Sequence, residues 1–470
     1  MNFLELLEKC TENVTFFEDE TEPHIFYAEY LNHYGKNEFS RIDSFVFRSY
    51  LAVESAEVTN NSQILDVKRA IEYLQYALSA YGECEKVSSH IRIAGNLKDS
   101  IEYDLQDSSS KSVVVTGNGW SIENKKSKFI VPENSLPQVT PKRTSESPLE
   151  TLKPFTNLQG NDFTMFVIWL IQAFSCDMHH ALLVMADKGS GKTVLSKFVK
   201  LLTDPFKFHI TAIPDKNSDL IVLLYNTWLC CLDNVSNISG DTSDILCGAI
   251  SGTASVKRSL FTDTELSIAK LHSTLVINGI KLVPGKDDLA ERMLIITPPK
   301  LTKNIQQESI LWKNFEVQRP YILGSIFNTL SKAINEIKTL NISWLPRMSD
   351  SYVEMMAIAK ALGINENEFC RLYKENVEKM NALRYGTPLV QAIDEYAKKI
   401  PKRKVEQSAD ELLKELLNSY SGDISLLPSS SSNLSRKLTE EYNNIFDAGY
   451  RINIDDSGYK NTQISIIKKK

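Results

Sequence analysis

A chain of 470 residues is longer than one hydrophobic core usually organises, so two to four domains are expected. Hydrophobic residues at 42% and charged residues at 24% are ordinary globular values and argue against a disordered chain. The net charge of −6 does not itself suggest nucleic acid, but the acidic excess is local: residues 1–60 hold twelve Asp and Glu against four Lys and Arg. The remainder is close to neutral, so any DNA-binding surface has to be a patch.

The N-terminus, MNFLELLEKC, carries acids and lacks the basic run that opens a secretory signal. The apolar stretch TMFVIWLIQAF (164–174) is about half as long as a membrane span. A soluble, cytoplasmic protein with no membrane partner is expected. The seven cysteines, Cys10, Cys84, Cys176, Cys230, Cys231, Cys247 and Cys370, form no C-x-x-C pair. They read as small buried residues in a reducing compartment rather than a zinc ribbon or a disulfide framework.

The first hundred residues read as helical patterns with short polar breaks. In DVKRAIEYLQYALSAY, residues Val67, Ala70, Ile71, Leu74 and Ala77 share one helical face. Short runs near period two follow, HIRIAG, SIEYDL, SVVVTG and WSIENKKSKFIV, and predict strands. Residues 1–134 are therefore expected to form an N-terminal α+β domain, with Asp104 and Asp107 as loop acids. The Pro-, Ser- and Thr-rich stretch 135–149 reads as a linker. From 150 to 300, helices alternate with the apolar runs ALLVMA, TWLCCLD, STLVING and MLIITPP. Such runs suit a parallel sheet buried on both faces, so the fold class is α/β with a P-loop core. Residues 301–385 read as a helical lid or connector. The tail, 386–470, reads as three helices and two strands around a turn.

Residues 186–193, Ala186-Asp187-Lys188-Gly189-Ser190-Gly191-Lys192-Thr193, fit a Walker A loop with Ala in the first glycine position. The glycines let backbone N–H groups face phosphate oxygens, and the helix expected next points its positive end at them. Lys192 supplies charge at the β and γ phosphates of ATP, and Thr193 offers a hydroxyl to Mg²⁺. Forty-one residues beyond Lys192, an apolar strand delivers Asp233 at its tip. Alone that is an ordinary strand end; after a Walker A loop it reads as the second Mg²⁺ ligand. Asn234 stands where many hydrolytic sites carry a second acid, and an amide positions water without accepting its proton. Asn278 ends another strand, where it could contact the γ-phosphate or the attacking water; it is also an ordinary strand-to-turn Asn-Gly. Arg292 could reach a neighbouring subunit's nucleotide, or could be a solvated arginine.

The ordered series DKGSGKT, LDNVS, DILCGAISG, KRSLFTD, LVINGI, DLAERMLIITPP and LPRMSD, running from about residue 88 onward, resembles the ATP-binding replicative helicases and replication initiators of phages and mobile genomic islands. These are AAA+-type ATPases allied to superfamily-3 and minichromosome-maintenance helicases. The resemblance implies a homo-hexamer with Asn278 as sensor 1, Arg292 as an arginine finger in trans and Arg347 as sensor 2. It implies a DNA-gripping hairpin within 252–272, although the tip, Leu260 to Glu265, carries Asp263 and Glu265 where basic or aromatic residues belong. Lys257 and Arg258 fit equally a phosphate contact or a solvated or intersubunit face. NLSRKLTEEYNNIF (433–446), capped by Ser or Asn, with YRINIDDSGYKNTQISII, resembles the winged helix attached to this family. There Arg436 and Lys437 would face a groove, and Arg451 or Lys460 would reach phosphates. The expected activity is an ATP hydrolase working on single-stranded or forked DNA, or on origin duplex. The alternative is a nucleotide-controlled DNA-binding loader or defence-associated ATPase switch that does not unwind.

Overall fold

A computed structural model describes all residues except 108, 253, 259–265, 281–285, 302–306, 343, 402, 422–423, 456–461 and 469–470. The chain groups into two compact units, Met1–Leu282 with Arg292–Tyr373, and Val283–Glu291 with Lys374–Lys470. Among the described residues no helix is long and apolar enough to cross a membrane.

The first unit opens on an apolar cluster of its own, from Leu6 to Leu74, under the helices Phe3–Thr11, Phe45–Val58 and Val67–Tyr81. These helices accompany a four-stranded sheet in the order 37–41, 26–31, 15–19, 85–87. Three of those strands correct the helical reading of this region. In Phe26–Leu31 aromatic residues bury on both faces of the strand, a pattern without the clean alternation that marks a strand in sequence.

The predicted strands of the next stretch form an antiparallel meander, Ile93–Gly95, Ile101–Asp104, Lys111–Thr116 and Gly119–Asn124. It shares one apolar core with the helices Gly160–Gln172, Glu308–Glu336 and Ser349–Ala361. Asp104 is a buried strand residue, not a loop acid; its charge is matched by Lys125 at 2.7 Å. The Pro- and Ser-rich stretch after residue 134 runs irregularly but packed. Gln138 donates through Nε2 to the Tyr103 hydroxyl at 2.9 Å and the Leu202 carbonyl at 2.8 Å.

The centre of the unit is a four-stranded, wholly parallel sheet, ordered Leu229–Leu232, Thr274–Gly279, Ala181–Met185, Met293–Ile296. Its residues are almost all buried, which is why the four runs read as continuous apolar segments. The α/β class with a parallel sheet is as expected. An antiparallel hairpin, Ala254–Arg258 with Leu266–Lys270, lies between the second and third of these strands in sequence.

Beside the start of the 181–185 strand lies a buried polar cluster. His180 bonds Ser351 through Nδ1 at 2.7 Å and the Tyr373 hydroxyl through Nε2 at 2.9 Å. Glu354, 1% exposed, accepts Ser175 Oγ at 2.8 Å. Burial, with the Asp177 carboxylate nearby, pushes Glu354 up from 4.5 to about 8. The folded state therefore holds a proton that the unfolded chain releases, and stability falls as pH rises from about 4.5 to about 8. Glu354→Gln keeps the shape without the charge. It is expected to raise Tm at pH 8, change it little at pH 5, and flatten the Tm–pH curve measured by scanning fluorimetry; an unchanged slope would refute this.

In the second unit the helices Pro388–Lys399, Ala409–Ser419 and Ser431–Glu440 close a core that includes Leu389, Ile393, Leu412, Leu434, Ile452 and Ile464. The helix expected over 433–446 is two, Ser431–Glu440 and Tyr442–Asp447, broken at Glu441. The Glu441 carboxylate accepts the Thr387 hydroxyl at 2.6 Å, and Ser430 supplies the expected serine cap. The two tail strands gain a third, Lys404–Ser408, giving an antiparallel sheet ordered 404–408, 463–468, 450–455. Its sequence, KVEQS, has a single β-branched residue and so carries little strand signal.

Candidate nucleotide site

The 181–185 strand ends at a loop that glycine makes possible. Gly189 (φ +80°) and Gly191 (φ +78°) are both left-handed, a conformation that side chains rarely adopt. Gly191 caps the helix Lys192–Thr203, and a glycine has no side chain with which to satisfy the first-turn amides. A twelve-residue helix thus begins at Lys192 with its N–H groups directed at the loop. Asp187 and Lys188 are exposed, Ala186 and Ser190 are buried, and Lys192 and Thr193 are half-buried.

The neighbouring strands bring three more predicted residues to the same end of the sheet. Thr193 Oγ1 donates to Asp233 Oδ1 at 3.2 Å. Asp233 is held by its backbone, its N–H donating to the Thr211 carbonyl at 2.8 Å. Asn278, fully buried and in register with Val184, is the junction. Its Oδ1 accepts the Asn234 N–H at 2.9 Å, and its Nδ2 donates to Ser196 Oγ at 3.0 Å. Ser196 Oγ in turn donates to the Lys192 carbonyl at 3.1 Å. The first turn of the helix and the 233–235 turn are thereby tied through one amide. Asn234 sits at φ +54°, a left-handed backbone that Asn tolerates better than most residues. That gives the amide a conformational reason to be there.

Arg292 lies elsewhere. It precedes the 293–296 strand, which pairs Met293 with Ala181 at the opposite end of the sheet. Four strand steps separate that level from the loop, about 13 Å. Arg292 Nη1 hydrogen-bonds Ser251 Oγ. Arg347 is exposed just before the helix Ser349–Ala361.

Of the residues expected at DNA, Lys257 and Arg258 are the last two positions of the 254–258 strand. The hairpin tip, with Asp263 and Glu265, and Lys460 lie outside the described residues. Arg436 is exposed, its guanidinium bonded to Asn433 at 3.0 Å and 3.5 Å from Glu440 on the same helix. Lys437 is half-buried, and Arg451 is exposed on the 450–455 strand.

Sequence reasoning missed Asn157, Ser196 and Thr211. Ser196 lies one helical turn beyond Lys192, a spacing that could have been read. Asn157 and Thr211 sit in irregular segments and belong to no motif.

Residues 149–365 match the profile of a family described as the actinomycete integrative conjugative element replication protein. No curated protein matches the chain. Among solved structures, the apo A form of the NrS-1 C-terminal region aligns over 99% of this chain and 98% of its own, at 12% identity and TM-score 0.42. JCV helicase bound to an acetamide compound aligns over 50% of this chain and 65% of its own, at 11% identity and TM-score 0.23. Over 149–365, which includes the loop, Asp233, Asn278 and Arg292, the chain is similar to mobile-element replication proteins.

Proposed function

We propose that this chain is an ATP-driven DNA helicase or replication-initiation motor of a mobile element, with a P-loop AAA+-type core and a C-terminal winged helix. The contact of Thr193 with Asp233 at the mouth of the glycine loop carries the reading, because it joins two oxygen donors to a helix N-terminus. Donors of this kind suit a hard cation, and Mg²⁺ held by Thr193 and Asp233 would neutralise charge on the β and γ phosphates. Residues 186–193 would cradle the phosphates, and Lys192 would add its charge there. Asn278 holds the helix and the 233–235 turn in fixed relation, so the groups that bind and those that orient water stay aligned.

Arg292, a strand's length from its own loop, would serve a neighbour's nucleotide in a homo-hexamer, with Arg347 as a second sensor. Lys257, Arg258, Arg436, Lys437, Arg451 and Lys460 would meet DNA phosphates. Similarity to mobile-element replication proteins over 149–365 supports DNA as the partner. One observation favours a second reading, a nucleotide-controlled loader or defence-associated switch: Asn234 cannot accept a proton from water.

The test is ATP hydrolysis with and without forked DNA, together with strand separation. DNA-stimulated hydrolysis and unwinding are expected. Hydrolysis indifferent to DNA, with no unwinding, would end the motor reading, and slow hydrolysis with ATP-dependent oligomerisation would favour the switch.

A further inference from the structure

A trans peptide turns its carbonyl and its N–H to opposite sides. None of the described peptide bonds is cis. On the outer side of the 186–193 loop, the Gly189 carbonyl accepts the Leu301 N–H at 3.1 Å. The next carbonyl, that of Ser190, accepts Asn157 Nδ2 at 3.0 Å. These two bonds turn the Ser190 and Gly191 N–H groups away from Leu301 and Asn157.

The restraint matters because of glycine. Peptide planes flanked by Gly189 and Gly191 rotate at little steric cost, since glycine accepts either sign of φ. A loop that has to present several N–H groups to one anion needs those planes held beforehand.

The holding segment is itself anchored. Asn157 Nδ2 also donates to the Pro299 carbonyl at 2.6 Å, and Asp162 Oδ2 accepts the Thr297 N–H at 3.0 Å. Both partners of the Asn157 amide are carbonyls, so its nitrogen, not its oxygen, has to face them. Leu301 packs on the loop, its Cδ1 3.6 Å from where a Cβ on Gly191 would stand.

We infer that Asn157 is a positioning residue of the nucleotide site, presetting the phosphate-facing amides of the loop from outside through the Ser190 carbonyl. This rests on the reading of 186–193 as a phosphate cradle. Asn157 touches no nucleotide; it acts through the peptide it fixes.

Full-length wild type, Asn157→Ala, Asn157→Asp and Lys192→Ala are titrated with a fluorescent ATP analogue and a fluorescent ADP analogue, each with Mg²⁺. Steady-state ATPase and the Tm of the nucleotide-free proteins are measured alongside. Asn157→Ala is expected to weaken both analogues about tenfold, the worth of one hydrogen bond. Asn157→Asp, which sets a carboxylate against two carbonyls, weakens them further. KM for ATP rises in parallel, kcat stays within about twofold, and Tm without nucleotide stays within about 2 °C.

Unchanged affinity in both Asn157 variants overturns the inference while leaving the cradle intact. A fall in kcat at constant KM, or an affinity loss matched by a fall in Tm, also overturns it, because Asn157 would then serve chemistry or folding. If wild type binds neither analogue better than Lys192→Ala does, the cradle itself is lost and the inference with it.

Discussion

Lys192→Ala is expected to lower ATP turnover by about 10²–10³-fold while the nucleotide-free protein keeps its Tm within about 2 °C. Lys192 is half-buried at the first position of its helix, outside the apolar core, so its loss removes charge without opening a cavity. In the proposed site that charge acts on the transferring phosphate, where low dielectric strengthens it. A companion experiment tests the assembly. Lys192→Ala and Arg292→Ala are each expected to be inactive, yet a 1:1 mixture should regain activity. Where subunits exchange freely, about a quarter of the interfaces pair an intact Lys192 with a neighbour's intact Arg292. A mixture as inactive as its components would remove Arg292 from a shared site, and near-normal turnover by Lys192→Ala would remove the hydrolytic reading altogether.

Asp204→Ala is expected to destabilise the first unit by about 3–5 kcal/mol, a large part of a typical folding stability. Asp204 is fully buried, as is Arg92, and Lys200 is nearly so. Its carboxylate lies 3.3 Å from Arg92 Nε and 2.8 Å from Lys200 Nζ, and it accepts the Leu229 N–H at 3.2 Å. Burial alone would raise its pKa, but the two cations hold it below the usual carboxylate range. The stability it contributes is therefore present above the ordinary carboxylate pKa near 4 and is lost as pH falls through the lower folded value. Removing the carboxylate leaves two buried cations with no described counter-charge in the triad, held by carbonyl and hydroxyl partners and, for Lys200, the Phe206 ring at 4.7 Å. Urea titration reads the loss directly. Replacing all three residues, Arg92→Met, Lys200→Met and Asp204→Leu, should recover most of it, because an apolar cluster replaces a buried charge network at little cost. A loss below about 1 kcal/mol in the single variant would mean that water reaches the triad.

The consequence of this network is positional. Arg92 opens the meander of strands, and Asp204 follows directly on the helix that begins at Lys192. The link joins the helix that begins at Lys192 to strands far away in sequence.

The sequence by itself determined the features whose physics is local. A glycine-rich turn followed by an amphipathic helix marks 186–193, and four apolar runs of strand length mark the parallel sheet. Asp233 follows from the same runs as the acid just past a strand end, whereas Asn278 is a fully buried strand residue whose amide is satisfied by the Asn234 N–H and Ser196 Oγ. What only the tertiary structure decided depends on meetings between distant residues. Arg92 and Asp204 stand 112 residues apart, and no spacing rule joins them. Asn157 lies in an irregular segment, and its value comes from the carbonyls of Ser190 and Pro299 on either side of it. The strands 15–19, 26–31 and 404–408 escaped because mixed or polar burial blurs the period-two pattern. Local chemistry names the loop, whereas the groups that hold its peptides in place are found only when the chain has folded back on itself.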